Sequence, residues 1–120
     1  MDPESPKTSA VAGRLARLPL CLAGGIEVPM AASIPARLLG LSHLDRTEAG
    51  PGLLIPGCRS VHTFGMRFPL DIVFLDQHGA VLRRCPAVPR RRCLFTKSAH
   101  SVLEIVPGGL QGGEVPAPGA

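Results

Sequence analysis

Apolar residues alternate with other residues in several stretches of the chain, and a period of two is typical of β-strands. Two of these stretches, residues 18–23 and 26–30, lie on either side of Gly24 and Gly25. A pair of glycines between two alternating runs is typical of a tight turn between antiparallel strands. The pattern therefore predicts a β-hairpin over residues 18–30.

The spacing changes after this hairpin, where apolar residues recur every three or four positions. Ser33 can accept a hydrogen bond from the first turn of a helix. Pro35 suits that first turn because its φ is already helical and its missing N–H is not needed there. These residues predict one short helix over residues 34–42.

The remaining strands are predicted from apolar runs and the turns that separate them. The strongest run is LDIVFL, residues 70–75, after which a turn at residues 77–79 returns the chain as an antiparallel partner over residues 80–82. Further extended segments are predicted at residues 53–55, 59–63 and 102–106. In the last of these, Glu104 faces the opposite side of the sheet from its two neighbours.

Composition favours the same fold class. The 120 residues include 14 glycines and 13 prolines, which disfavour long helices and favour short strands joined by turns. Hydrophobic residues make up 45% of the chain and charged residues 18%, enough apolar side chain for one packed core. We predict one mainly β domain over residues 15–106, at the margin of the α+β class. A disordered leader (1–14) precedes it and a flexible Gly/Pro-rich tail (107–120) follows.

Charge and cysteine content narrow the range of partners. The net charge of +4 does not require an acidic partner, and helix-turn-helix, zinc-finger and aromatic RNA-binding signatures are missing, so we do not expect nucleic acid binding. The four cysteines form no C-x-x-C pair, and we therefore expect neither a metal nor another cofactor. Free thiols in the core are favoured, with a Cys85–Cys93 disulfide as the alternative.

The beginning of the chain superficially resembles an export signal. Arg14 and Arg17 precede the apolar run LPLCLAGG, but Pro19 interrupts that run. Leu20 stands before Cys21 where such signals have a small residue. No stretch approaches about 18 uninterrupted apolar residues, so no membrane-spanning helix is predicted. We expect a cytoplasmic monomer.

The segment VHTFGMRFPLDIVFLDQHG, residues 61–79, places polar side chains in an otherwise strand-like apolar run. Asp71 lies between two apolar residues, where an isolated buried carboxylate would be costly. It must therefore lie at the exposed start of the strand, or accept hydrogen bonds from backbone amides or from an arginine such as Arg59 or Arg67. A structural role at the turn around Pro69 is favoured for it, and ligand binding or catalysis is the alternative. His62 has the same two interpretations, because a strand histidine can be a hydrogen-bonded structural residue or a general base.

Three sets of candidate site residues result. The candidate ligand-binding residues are Arg59, His62, Thr63, Met66, Arg67 and Asp71, and the candidate catalytic residues are His62, Asp71 and Cys58. Arg90, Arg91 and Arg92 lie in a window without Asp or Glu and are candidates for anion binding, with a solvated loop as the alternative.

Three segments carry a resemblance to a known family: Arg37 with Gly40-Leu41, residues 62–76 (HTFGMRFPLDIVFLD) and residues 102–104 (VLE). With these motifs the chain resembles the bacterial and archaeal domain-of-unknown-function family numbered 192, over about residues 26–113. The resemblance implies a compact β-sandwich or jelly-roll-like domain with one small helix, and it implies no established activity. Members of that family are often exported, which the beginning of this chain does not indicate.

Two classes of function remain. We favour a non-enzymatic binding or accessory module whose concave β-face binds a small molecule, a glycan or a protein segment. The alternative is a small hydrolase-like enzyme with His62 as general base, Asp71 as its orienting partner and Cys58 as a candidate nucleophile. The G-x-S-x-G, H-E-x-x-H, phosphate-loop and dinucleotide motifs that would favour an enzyme are missing from the chain.

Overall fold

A computed structural model describes residues 13–23 and 25–107 of the chain. Residues 1–12 of the predicted leader and residues 108–120 of the predicted tail lie outside the described residues. Helix α1 (Gly13–Ala16) begins two residues before the predicted start of the domain.

Antiparallel strands form most of the described secondary structure, which confirms the predicted mainly β class. The strands are β1 (Leu20–Ala23), β2 (Ile26–Pro29), β3 (Gly52–Pro56), β4 (Ser60–His62), β5 (Leu70–Leu75), β6 (Val81–Val88), β7 (Cys93–Phe95) and β8 (Ser101–Ile105). Three short helices accompany them: α1, α2 (Ile34–Leu39) and α3 (Arg46–Ala49). A four-stranded sheet has the order β3-β8-β5-β6, and the pairs β1-β2 and β4-β7 each form a two-stranded sheet.

The four-stranded sheet is covered on both faces. Its hairpin face, with Val73, Leu75, Leu103 and Ile105, packs against Ala23 and Val28 of the predicted β1-β2 hairpin. Its helix face, with Leu53, Ile55, Ile72, Phe74 and Val102, packs against Leu41, Met66 and Phe68. Because β8 lies between two other strands and both faces are covered, all five of its residues are buried.

Helix α2 begins where the sequence predicted and ends earlier. The backbone N–H of Ala36 donates to Ser33 Oγ at 3.2 Å, so Ser33 caps the helix as expected. The helix ends at Leu39 and not near Ser42, because Gly40 adopts a φ of 52° that is incompatible with a continuing right-handed helix.

Helix α3 lies in a segment whose residues predicted only turns, and no helix was expected there. The Asp45 backbone N–H donates to Glu48 Oε1 at 2.8 Å, and the two residues form a capping box that starts the helix. The D-x-x-E spacing of Asp45 and Glu48 is typical of a capping box and could have predicted this helix start. The glycine and proline that follow it end the helix after one turn.

The predicted β5-β6 hairpin is present, and Asp76 holds its turn. Asp76 Oδ1 accepts the backbone N–H groups of His78 at 2.8 Å and Ala80 at 2.9 Å. These hydrogen bonds, first that of Ala80 and then that of His78, hold the pKa of Asp76 below its usual value. Strand β6 continues to Val88, well past the predicted residues 80–82.

Asp71 stabilises a bulge between β5 and β6. The register of the two strands shifts between Leu70 and Ile72, and Asp71 Oδ1 accepts the Ala87 backbone N–H at 2.7 Å. Ala87 has a φ of 50°, a conformation that costs a non-glycine residue energy. The carboxylate therefore accepts a backbone amide as predicted, but that amide belongs to the bulged strand β6.

No helix among the described residues is long and apolar enough to cross a membrane.

We predict that Asp71→Ala lowers the free energy of unfolding by about 1–2 kcal/mol, because it leaves the amide of a strained residue without its acceptor. Urea unfolding measures the change. Asp71→Asn is the matched control, since its side-chain oxygen can still accept the Ala87 N–H, and it should retain most of the stability. Equal stability of Asp71→Ala and the unmodified protein would contradict the assigned role.

Candidate functional site

A pocket of about 490 Å³ opens beside the short helix α2. Its wall is formed by α2 and the turn that follows it, by the chain from the end of β3 through β4, and by Met66, Cys93 and Glu104. The volume lies within the range of about 300–1,000 Å³ that is typical of small-molecule sites. A second cavity of about 650 Å³ beside the β5-β6 turn contains none of the unpartnered buried side-chain atoms of the described residues.

Glu104 lines the first pocket and is its most unusual residue. It lies on the helix face of β8, alternating with Leu103 and Ile105, and only 2% of its surface is exposed. The Leu41 backbone N–H donates to its carboxyl group, while Oε1 has no hydrogen-bond partner among the described residues. Burial raises the pKa of Glu104 from 4.5 to about 8, so the carboxyl is mainly neutral at pH 7.

Gly40 allows the backbone to approach this carboxyl. A Cβ at position 40 would lie 3.1 Å from Glu104 Oε1, and the φ of 52° there also favours glycine. Arg14 fixes the same turn from α1, because its Nη2 donates to the carbonyl oxygens of Gly40 at 3.1 Å and Ser42 at 2.7 Å. The turn that covers Glu104 is thus held from outside the pocket.

Arg37 brings a positive charge to the pocket wall. It is half-buried in the last turn of α2, and its Nη1 donates to the Pro56 carbonyl oxygen at 3.3 Å. Within the described part of the chain, no ion pair joins the Arg37 guanidinium to the Glu104 carboxyl. The pocket therefore contains a cation and a mainly neutral acid as separate groups.

The mouth of the pocket is apolar. Ile34 and Leu38 line it with 65% and 67% of their surfaces exposed, and Leu39 beside them is also exposed. Helix α2 contributes no buried residue to the core. Its apolar side chains consequently form a rim around a pocket whose polar groups lie in the wall.

Three of the predicted site residues line this pocket: Cys58, His62 and Met66. The Cys58 thiol donates to the Ser60 carbonyl oxygen at 2.8 Å, and His62 Nδ1 accepts the Phe64 backbone N–H at 3.2 Å. Met66 is buried and also belongs to the core on the helix face.

The other predicted ligand-binding residues lie outside the pocket wall. Thr63 is buried, donates from Oγ1 to the Pro89 carbonyl oxygen at 2.7 Å and accepts the Arg92 backbone N–H at 2.8 Å, so it ties β4 to the loop before β7. Arg67 forms an exposed ion pair with Asp45 at 2.8 Å. Arg59 is exposed, and Asp71 supports the bulge described above.

The predicted catalytic residues His62 and Asp71 lie on different elements, and the run of three arginines lies on a loop. The described hydrogen bonds of His62 and Asp71 reach Phe64 and Ala87, on different elements. Arg90, Arg91 and Arg92 are exposed on the loop between β6 and β7, and the Arg92 backbone amide binds Thr63 Oγ1. In the described residues, no group of three or more His, Cys, Asp or Glu side chains could hold a metal ion, and the four cysteines are free.

Glu104 and Arg37 were not among the predicted site residues. Both belong to motifs that carried the family resemblance, the V-L-E and R-x-x-G-L segments. The third such segment contributes His62 and Met66, so all three meet at one pocket. These motifs are far apart along the chain, so the sequence did not predict that they lie close together in space.

Two solved structures share the fold. A protein of unknown function from Novosphingobium aromaticivorans is similar with a TM-score of 0.53 and 15% identity, over 80% of this chain and 86% of that one. A Sinorhizobium meliloti protein described as a "putative transcription regulator" is similar with a TM-score of 0.57 and 17% identity, over 82% and 87%. No curated protein sequence matches the chain.

The sequence model of DUF192, described as an uncharacterized ACR, matches residues 22–115. This match covers most of the chain and includes the segments that form the pocket wall. The chain therefore belongs to the DUF192 family.

Proposed function

We propose that the protein is a binding module that holds a small, largely apolar molecule in the pocket beside α2. The observation that carries the proposal is Glu104 Oε1, a buried polar atom without a partner in the wall of a pocket of ligand size. Unpartnered buried polar groups are rare in folded proteins because each one costs stability. A ligand that hydrogen-bonds this carboxyl would recover part of that cost.

The exposed apolar residues of α2 support a ligand with an apolar part. Ile34 and Leu38 face the pocket and solvent instead of the core. Apolar surface with a few placed polar groups is the usual lining of a small-molecule site. This combination favours a small molecule over a glycan, whose hydroxyl groups need many polar partners.

A hydrolase-like activity has less support from the contacts of its candidate residues. A general base and its orienting carboxylate need to approach within about 3.2 Å. His62 and Asp71 bind backbone amides of different elements. Cys58 donates its thiol hydrogen to the Ser60 carbonyl oxygen at 2.8 Å. We therefore favour binding without chemistry.

We expect that some members of a library of small apolar molecules raise the melting temperature of the protein, and that Ser60→Phe abolishes this effect. Ser60 lines the pocket with an exposed side chain, so a phenyl group there should fill the mouth without disturbing the core. Ser98→Phe, at an exposed turn outside the pocket, is the matched control and should keep the response. Stabilisers that act equally on both variants, or no stabiliser at all, would refute the proposal.

The stability of the protein should also depend on the protonation of Glu104. The pKa of Glu104 is about 8 in the folded protein, compared with 4.5 for the exposed side chain of an unfolded chain. The folded protein therefore binds this proton more tightly. The stability contribution is complete below pH 4.5 and is lost as the pH rises to 8. Between these two pH values the free energy of unfolding should fall with pH by up to about 1.4 kcal/mol per pH unit.

Urea unfolding between these pH values, compared with Glu104→Gln, isolates this contribution. The glutamine is neutral at every pH and should remove the slope. Arg37, Cys58, His62 and Cys93 share the pocket and are the same in both proteins, so the comparison isolates the Glu104 carboxyl. Identical slopes for the two proteins would show that Glu104 is not the titrating group.

A further inference from the structure

The polar groups in the pocket indicate which kind of ligand head group fits. Glu104 accepts the Leu41 backbone N–H, while its Oε1 is buried and has no hydrogen-bond partner among the described residues. A neutral carboxyl has one O–H donor and one carbonyl acceptor. Oε1 is the oxygen without a partner, so a hydrogen placed on it is free to donate. The pocket wall then contains an O–H donor that lacks an acceptor.

Arg37 adds a second donor to the pocket wall, and unlike the neutral carboxyl it is always positively charged. Its described hydrogen bond uses Nη1 alone, and no described carboxylate neutralises it. A guanidinium binds a carboxylate strongly because two N–H groups can align with two oxygens. Arg37 and Glu104 can therefore both donate to a ligand, and Arg37 is charged.

We propose that the pocket binds an amphiphilic monocarboxylate, with its carboxylate at Arg37 and Glu104 Oε1. This proposal rests on the proposed binding function and names its ligand class. The apolar chain of the ligand lies along the exposed side chains of Ile34 and Leu38 and thereby covers apolar surface that is otherwise in water.

The Glu104 carboxyl can reach the ligand with little movement. Oε1 lies against Gly40, which lines the same pocket. The terminal torsion of a glutamate side chain is broad and soft, so the carboxyl can change its orientation without movement of the strand. A Cβ at position 40 would lie 3.1 Å from Oε1, so the glycine there leaves room beside this atom.

An alkylammonium ligand is the competing possibility, since an ionised Glu104 could serve as its counterion. The two ligands have opposite pH dependence. A carboxylate binds the protein whose Glu104 is protonated, so its affinity falls as the pH rises above 8. An ammonium ligand needs the ionised carboxyl, and Arg37 in the same wall repels it.

The experiment compares octanoate, octanamide and octylamine, which share one apolar chain and differ in head group. Isothermal titration calorimetry at pH 7, and for octanoate also above pH 8, gives their affinities. We expect octanoate to bind about tenfold more tightly than octanamide, and octylamine to bind most weakly. Above pH 8 the octanoate affinity should fall about tenfold per pH unit, because the ligand itself is ionised throughout.

Two variants assign the effects to residues. Arg37→Gln should weaken octanoate about tenfold and change octanamide little, because it removes the charge. Glu104→Gln retains an N–H donor at the same place, so octanoate should still bind within a few-fold at pH 7, and its affinity should no longer fall above pH 8. A fall that persists in this variant would assign the pH dependence to another group and would overturn the role of Glu104.

Tightest binding of octylamine, equal binding of the three ligands, or no binding of octanoate would overturn the proposed ligand class. These results leave the binding function intact if library compounds still stabilise the protein and Ser60→Phe abolishes that effect. If the library also contains no stabiliser sensitive to Ser60→Phe, the binding function itself has failed. The two proposals can therefore fail separately.

Discussion

Burial of both faces of the four-stranded sheet is the constraint on which the site depends. Strand β8 lies between β3 and β5, the β1-β2 hairpin covers one face, and the other face packs against Leu41, Met66 and Phe68. All five residues of β8 are therefore buried. Glu104 is therefore buried by the position of its strand, and its neutral form is favoured because a buried charge is costly.

The turn after α2 completes this arrangement. Gly40 lets the backbone pass close to Glu104 Oε1, the adjoining Leu41 N–H binds the carboxyl, and Arg14 holds the turn from its other side. The same turn ends α2 so early that the helix buries none of its own residues. One local feature thus creates the covered carboxyl and the apolar rim of the pocket.

Most of the polar residues in the segment of residues 61–79 serve the fold. Thr63 joins β4 to the loop before β7, Asp71 supports the bulge at Ala87, and Asp76 holds the β5-β6 turn. His62 and Met66 from the same segment reach the pocket instead. Polar residues within an apolar strand pattern therefore have two explanations here, backbone hydrogen bonds and a site, and they lie a few residues apart.

The sequence by itself determined the fold class, the β1-β2 and β5-β6 hairpins, the Ser33 cap and the alternation that sets Glu104 opposite its neighbours, because these depend on nearby residues and on the period of two. It could not determine that both faces of β8 are covered, since that depends on elements distant along the chain. The tertiary structure alone decided that Arg37, Glu104 and His62 share one pocket, and that the carboxylate of Asp71 belongs to a bulge. Strand pairing brings these residues together, and periodicity within a strand contains no information about which strands pair.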